Sequence, residues 1–214
     1  MRYLFAFIIS IALYVPAIAQ EPLLKRLQQK MDQQEAEQKE LIYSFNTVTY
    51  VHKLDKRGDI EKTDTTKTWQ KFKGDSLQEY TLISTTDKKE EKSDGKKGHN
   101  ESAKLPKLND PNYDFRVDSV SGTVGFLPKK PKKGDLAGEL LYDPQSLDLK
   151  QLKATMPKLK WPVNEFEMEM KFVLFEGYLF PAEFQMQVGW NAVLSKGRIR
   201  VESQNSDFKI HRYK

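Results

Sequence analysis

The chain has 214 residues, enough for one domain, of which 38% are hydrophobic and 30% are charged. It contains 35 basic and 30 acidic residues, for a net charge of +5, and it has no cysteine. Thiolate catalysis, thiolate metal sites and disulfides are therefore excluded. Nucleic-acid binding is not favoured either, because basic residues do not cluster with interleaved aromatic residues.

The N-terminus has the pattern of a secretory signal peptide. Arg2 gives a basic start, Leu4–Val15 is apolar, and Ala17-Ile18-Ala19 supplies small residues for cleavage. The apolar run is well short of the roughly 20 residues that a membrane-spanning helix needs. We therefore predict that residues 1–19 are a signal peptide, and that residues 20–214 form one periplasmic domain without a stable transmembrane segment.

The first predicted element of the mature chain is an amphipathic helix over Glu21–Glu40. This stretch is rich in Gln, Glu, Lys and Leu, which are good helix formers. Leu24, Leu27 and Met31 follow one another at helical spacing, and the apolar face fades beyond Met31. We expect this helix to have one end that packs on the protein and one solvated end.

The hydrophobic period changes from helical to alternating after the helix. Alternating aromatic and β-branched residues predict three strands, Leu41–Leu54, Ile60–Phe72 and Leu77–Thr85, joined by tight turns. Thr86–Lys107 is polar and aperiodic, which is typical of a flexible insert within the domain.

A second series of strands follows the insert. The same signals predict further strands over Tyr113–Val120, Thr123–Pro128, Ala137–Tyr142, Leu147–Met156 and Leu194–Phe208. The basic turn Lys129–Lys133 has the composition of a solvated loop. The alternative interpretation is a contact point for anionic headgroups or for an acidic partner.

The strongest pattern in the chain is the alternation over Asn164–Trp190, which predicts a pair of strands with one wet and one dry face. The dry residues are Phe166, Met168, Met170, Phe172, Phe184, Met186, Val188 and Trp190. Glu165, Glu167 and Glu169 fall on the opposite face, so we interpret them as the wet side and not as paired catalytic carboxylates. Because methionine adapts to varied apolar partners, the row is either the protein's own core or the lining of a ligand cavity.

No enzyme chemistry stands out. The three histidines, His52, His99 and His211, lie on separate predicted elements and do not form a metal-binding pair. The chain has no Gly-x-Ser-x-Gly elbow and no Gly-rich phosphate loop. We therefore predict a protein that is not an enzyme and that uses no metal or cofactor.

Several local motifs resemble those of a bacterial family. They are Tyr43–Asp59, Tyr113-Asp114-Phe115, Phe126-Leu127-Pro128-Lys129, Tyr142-Asp143-Pro144-Gln145-Ser146-Leu147 and Phe180-Pro181-Ala182. With the order of signal peptide, helix and two series of strands, they resemble the periplasmic half-barrel superfamily of the lipoprotein carrier LolA, the receptor LolB and the regulator RseB. The resemblance is closer to uncharacterised relatives than to LolA itself. It implies an open β-sheet wrapped around a hydrophobic cavity that takes acyl chains.

Together these observations predict a mainly β fold, a long curved antiparallel sheet (an open or half β-barrel) with an N-terminal amphipathic helix. Our first hypothesis is an exported binding or carrier protein for a lipid, an acyl-bearing ligand or a lipid-modified protein. Its predicted apolar cavity is lined by Phe166, Met168, Met170, Phe172, Phe184, Met186 and Trp190. The alternative is a structural or sensory module of the cell envelope, whose sheet has a self-filled core and contacts a protein partner.

Overall fold

A computed structural model describes residues 20–86 and 105–212. The predicted signal peptide, His99 and most of the predicted insert lie outside the described residues. Over these residues the chain forms one helix, α1 (Gln20–Lys39), and a series of strands. The strands are β1 Ile42–Leu54, β2 Ile60–Lys73, β3 Ser76–Thr85, β4 Tyr113–Asp118, β5 Thr123–Pro128, β6 Ala137–Tyr142, β7 Leu149–Thr155, β8 Val163–Phe175, β9 Tyr178–Asn191 and β10 Lys196–Ile210.

The ten strands form a single antiparallel sheet in the order β3-β2-β1-β10-β9-β8-β7-β6-β5-β4. Over the described residues the sheet is not closed into a barrel, so β3 and β4 are its two edges. The first strand and the last one pair in the interior of the sheet, with Val51 opposite Val201. The predicted mainly β fold with an open sheet and an N-terminal helix is confirmed.

Helix α1 packs through its apolar face onto one half of the sheet. Leu27 is 4% exposed, and Leu24 and Met31 contact the same core, as the helical spacing predicted. The sheet contributes buried residues from three strands, β5, β6 and β7, and they include Val124, Phe126, Leu140, Leu149, Leu152 and Ala154. We call this the helix-covered core, and we call the sheet face that carries it the inner face. Within the described part of the chain, no helix has the length and apolarity to cross a membrane.

Polar contacts fix the position of the helix on the sheet. The buried carboxylate of Asp148 accepts a hydrogen bond from the Gln34 amide at 2.9 Å and pairs with the Lys30 ammonium at 3.2 Å. Gln38 donates to the carbonyl oxygen of Leu179 at 3.4 Å. The helix therefore crosses from the β6–β7 turn to the start of β9, and it stays within one half of the sheet.

A second core, which we call the aromatic core, lies beyond the C-terminal end of the helix. Phe180 is fully buried, and its ring centroid lies 4.9 Å from that of Tyr43 and 5.2 Å from that of Phe208. Phe45 and Phe72 stack beside them at 5.5 Å. Burial of Tyr43 raises its pKa to about 12, and its hydroxyl donates to the Gly74 carbonyl oxygen.

Three predicted strand boundaries are wrong, each because a turn takes up residues with strand-like composition. Leu147 has a φ of 62° and its amide closes a turn on Asp143, so β7 begins only at Leu149. The Asp118 carboxylate accepts hydrogen bonds from the backbone amides of Val120 and Ser121, and this turn ends β4 at Asp118. Leu194 lies in the turn before β10 and is 98% exposed.

Two glycines on adjacent strands provide a test of the sheet packing. A Cβ at Gly138 would lie 2.0 Å from the carbonyl oxygen of Lys153, whereas a Cβ at Gly125 would meet no atom closer than 3.8 Å. We expect Gly138→Ala to destabilise the protein by about 1–3 kcal/mol, because the backbone of β7 must move. Gly125→Ala should change stability by less than about 1 kcal/mol. Urea unfolding of both variants measures the difference, and equal losses would contradict the close approach.

Candidate functional site

The structure places the predicted apolar row on two adjacent strands, β8 and β9. Residues directly opposite in an antiparallel pair share a face, and Met168 lies opposite Met186 while Met170 lies opposite Phe184. Phe166 pairs with Val188 in the same way. The row therefore lies on the inner face, and the register extends it onto β7, where Ala154 is opposite Met168.

The row is not uniform, because its two strands have different surroundings. The four residues from β8 pack against the helix-covered core, and they are Phe166, Met168, Met170 and Phe172. The residues from β9 belong to neither core, and they are Phe184, Met186, Val188 and Trp190. All eight are partly exposed. The predicted site is thus divided between a covered half and a half outside both cores.

The half of the row that lies outside both cores continues across the centre of the sheet. Val201 of β10 lies opposite Met186, and Ile199 lies opposite Val188. On β1, Val51 lies opposite Val201 and is 36% exposed. We call this surface the apolar strip, and it consists of Phe184, Met186, Val188, Trp190, Ile199 and Val201. Ile199 and Val201 are two residues apart in the predicted strand Leu194–Phe208, and this spacing is the signal that could have connected them with the row.

One end of the apolar strip is fixed by Trp190. Gly197 is its register partner on β10, and a Cβ at Gly197 would lie 2.3 Å from the ring atom Cζ2. The indole ring therefore covers the backbone of Gly197, an arrangement that holds cross-strand aromatic–glycine pairs in place. Any larger residue at position 197 would displace the ring from the strip.

A row of hydroxyl groups borders the apolar strip on the inner face. The Thr49 and Ser203 hydroxyl oxygens lie 3.0 Å apart, and Thr47 donates to Asn205 at 2.8 Å. Ser203 is also the register partner of Phe184, so the polar row begins directly beside the strip. These groups carry no charge, and Lys53, the register partner of Ile199, adds a charged side chain to the border on the same face.

The opposite, outer face carries the glutamates, as the alternation predicted. Arg198 Nε lies 2.7 Å from a carboxylate oxygen of Glu165, and the pair spans β9 at Gly189. Glu169 accepts a hydrogen bond from the Gln151 amide at 2.5 Å. These cross-strand contacts give the glutamates a structural role on the wet face.

A cavity also lies on the outer face, which the sequence did not predict. It measures about 680 Å³, and of the seven predicted ligand-binding residues only Met168 lines it. Its polar lining consists of Asp114, Arg116, Glu139, Lys153, Thr155, Glu167, Glu169, Gln185 and Gln187. An acyl chain there would cover charged side chains that need water, so the apolar strip is the better surface for an apolar ligand.

The described histidines lie apart from one another. The imidazole Nδ1 of His52 is 2.8 Å from the Thr63 hydroxyl, and His211 Nε2 is 2.9 Å from the hydroxyl of the buried Ser44. Across residues 20–86 and 105–212, no three His, Cys, Asp or Glu side chains are grouped so that they could hold a metal ion.

Met168 and Met186 are register partners on adjacent strands, and they lie in different halves of the row. Met168 packs against the helix-covered core, whereas Met186 belongs to neither core. We expect Met168→Ala to lower the free energy of unfolding by about 2 kcal/mol or more, because Met168 packs in the helix-covered core. Met186→Ala should cost less than about 1 kcal/mol, because Met186 belongs to neither core. Chemical denaturation checks both values, and the division of the row is refuted if Met186→Ala costs as much as Met168→Ala.

Comparison with known proteins assigns this chain to no family. No protein-family model matches it, and no curated protein compared with it is similar in sequence. The resemblance to the periplasmic half-barrel superfamily therefore stays a prediction. The fold and the chemistry of its surfaces provide the arguments about function.

Proposed function

We propose that this protein is an exported, periplasmic carrier or binding protein that holds a lipid or acyl-bearing ligand on the apolar strip. The ligand could be free or part of a lipid-modified protein. The role is binding, without catalysis. One observation carries the proposal: a continuous, partly exposed apolar surface crosses the centre of an open sheet and belongs to neither core.

The chemistry of the strip suits an amphiphile. Each methylene group of an acyl chain that leaves water gains about 0.8 kcal/mol, so a chain along β9 and β10 would bind through area alone. Met186 can adapt its side chain to different acyl groups. The hydroxyl border at Thr49 and Ser203 offers uncharged hydrogen-bonding partners to the polar part of such a ligand.

Two further features support the proposal. An open antiparallel sheet with an N-terminal helix is the architecture that the resemblance to the LolA, LolB and RseB superfamily implies. The N-terminal sequence pattern favours export, which would bring the protein to the cell envelope, where lipids and lipoproteins are handled.

Binding of a fluorescent fatty acid tests the strip directly. We expect Met186→Gln to weaken binding at least about fivefold, because an amide without a partner costs about 1–3 kcal/mol under a bound chain. Leu174→Gln is the matched control, since Leu174 lies on β8 outside the strip and is 48% exposed. Glu167→Gln tests the outer-face cavity and should also leave binding unchanged.

Mass spectrometry of gently purified protein provides a second measurement. We expect a lipid or fatty acid to co-purify with the wild-type protein and to be depleted in Met186→Gln. Absence of any co-purifying lipid, together with no uptake of the fluorescent fatty acid, would rule out the proposed function. Loss of binding only in Glu167→Gln would move the ligand to the outer face.

The second candidate is the structural or sensory interaction module with a self-filled core. The observation in its favour is that Phe166, Met168, Met170 and Phe172 pack against the helix-covered core and so contribute to the protein's own interior. This candidate predicts that the wild-type protein takes up no fatty acid and that Met186→Ala costs about 2–5 kcal/mol of stability, as a core substitution does. The fatty-acid measurement therefore separates the two candidates.

A further inference from the structure

The antiparallel topology divides the turns between the two ends of the sheet. The turns after β1, β5, β7 and β9 lie at one end, which we call the lysine-rich end, and they comprise residues 55–59, 129–136, 156–162 and 192–195. The turns after β2, β4, β6 and β8 lie at the opposite end, and they comprise residues 74–75, 119–122, 143–148 and 176–177.

These two sets of turns carry opposite charge. The four turns at the lysine-rich end contain eight basic and three acidic residues, a net charge of +5. The four turns at the opposite end contain four acidic residues and no basic one, a net charge of −4. The chain as a whole is only modestly basic, so its topology concentrates positive charge at one end.

The charges at the two ends also differ in their partners. At the acidic end, Asp143 pairs with Lys150 at 2.7 Å and Glu176 pairs with Arg212 at 2.9 Å. At the lysine-rich end, Lys129 lies 3.8 Å from Asp114. The other lysines of these turns make no ion pair with any described residue, and they are Lys56, Lys130, Lys132, Lys133, Lys158 and Lys160. Their positive charge is therefore available to a partner.

Large apolar side chains are exposed to solvent at the same end. Val193 and Leu194, in the β9–β10 turn, are 91% and 98% exposed, and Trp161 in the β7–β8 turn is 69% exposed. These two turns are neighbours, because the Asn191 amide donates to the Pro162 carbonyl oxygen at 2.8 Å. Exposed tryptophan and leucine beside lysines form the composition that binds at the boundary between lipid headgroups and acyl chains.

We propose that the lysine-rich end docks on the surface of an anionic lipid bilayer. Val193, Leu194 and Trp161 insert at the level of the headgroups, and the surrounding lysines lie against lipid phosphates. A bilayer fits this end better than an acidic protein does, because Trp161, Val193 and Leu194 lie in turns and are 69%, 91% and 98% exposed, so they are free to enter the headgroup layer. This inference goes beyond the proposed function, since docking requires no ligand on the apolar strip.

The docking end and the apolar strip are connected through β9. Trp190 closes the strip, and the chain reaches Val193 within the next turn. A protein docked in this way would hold the Trp190 end of the strip at the membrane surface. The two surfaces are nevertheless distinct sets of residues, so each can be tested while the other stays unchanged.

Co-sedimentation with lipid vesicles tests the docking. The chain from Gln20 onward is used, because it contains all the packing described above and omits the apolar N-terminus. We expect it to bind vesicles of phosphatidylcholine with about one-quarter phosphatidylglycerol, to bind pure phosphatidylcholine at least about tenfold more weakly, and to lose affinity as salt is raised. Comparable binding to both vesicle types would overturn the proposal.

Variants at the two ends form matched sets. We expect a Val193→Ser and Leu194→Ser double variant, and a Lys130→Gln, Lys132→Gln and Lys133→Gln triple variant, each to weaken vesicle binding about tenfold or more. Val120→Ser is the control, since Val120 is 92% exposed in a turn at the acidic end. All substituted side chains are exposed, so circular dichroism and thermal unfolding should match the wild type. Unchanged vesicle binding in either variant would overturn the proposal.

Tryptophan fluorescence gives a second readout for insertion. The emission of Trp161 is obtained as the difference between the spectra of the wild-type protein and of Trp161→Phe. This emission should shift to shorter wavelength when the wild-type protein binds anionic vesicles, because the indole leaves water. An unshifted signal would overturn insertion of this end. The docking proposal would also be overturned if a hexaglutamate peptide without lipid bound with the same affinity as the vesicles, because that result would identify an acidic protein as the partner. Fatty-acid binding by the same variants, measured without vesicles, should be unchanged and reports separately on the proposed function.

Discussion

The fold depends on a difference in size between helix α1 and the ten-stranded sheet, because the helix is too narrow to cover the whole inner face. A 20-residue helix is about 30 Å long and about 10 Å wide, whereas nine strand spacings of about 4.8 Å make the sheet roughly 43 Å across. The helix covers the strands around β5 to β7, where Leu27 and the hydrogen bonds to Asp148 hold it. The aromatic core around Phe180 covers another part of the sheet. The apolar strip is the part of the inner face that neither reaches.

The sequence predicted which side chains share a face of the sheet, but it did not predict what packs against each part of that face. Strict alternation along β8 and β9 fixes which side chains share a face, so Met168 and Met186 could be placed together without a structure. The position of the helix depends on distant contacts such as Gln34 with Asp148, which leave no periodic signal in the sequence. For the same reason the sequence could not show that Met168 is covered while Met186 lies outside both cores, nor that Gly125 and Gly138 contribute to a cavity on the outer face.

The charge asymmetry became visible only with the topology. Taken singly, the turn at Lys129–Lys133 resembles any solvated loop, and Val193 and Leu194 resemble the start of a strand. The antiparallel topology brings such distant segments to one end of the sheet, while Asp118, Asp143 and Glu176 are brought to the other. A chain with no cysteine can sustain this separation because its sheet and two cores hold the turns in place.

The position of β10 has a consequence for how the protein can assemble. This last strand joins β1 to β9, and its contact with β1 brings together Thr49 and Ser203, which are 154 residues apart in the sequence. Without β10 the sheet would fall into a three-stranded and a six-stranded piece, each with a long unpaired edge. A chain that emerges in sequence order must therefore keep β1 and β9 from pairing wrongly until its final strand arrives. Such long-range pairing is slow, so folding should be the step at which this protein is most exposed to aggregation.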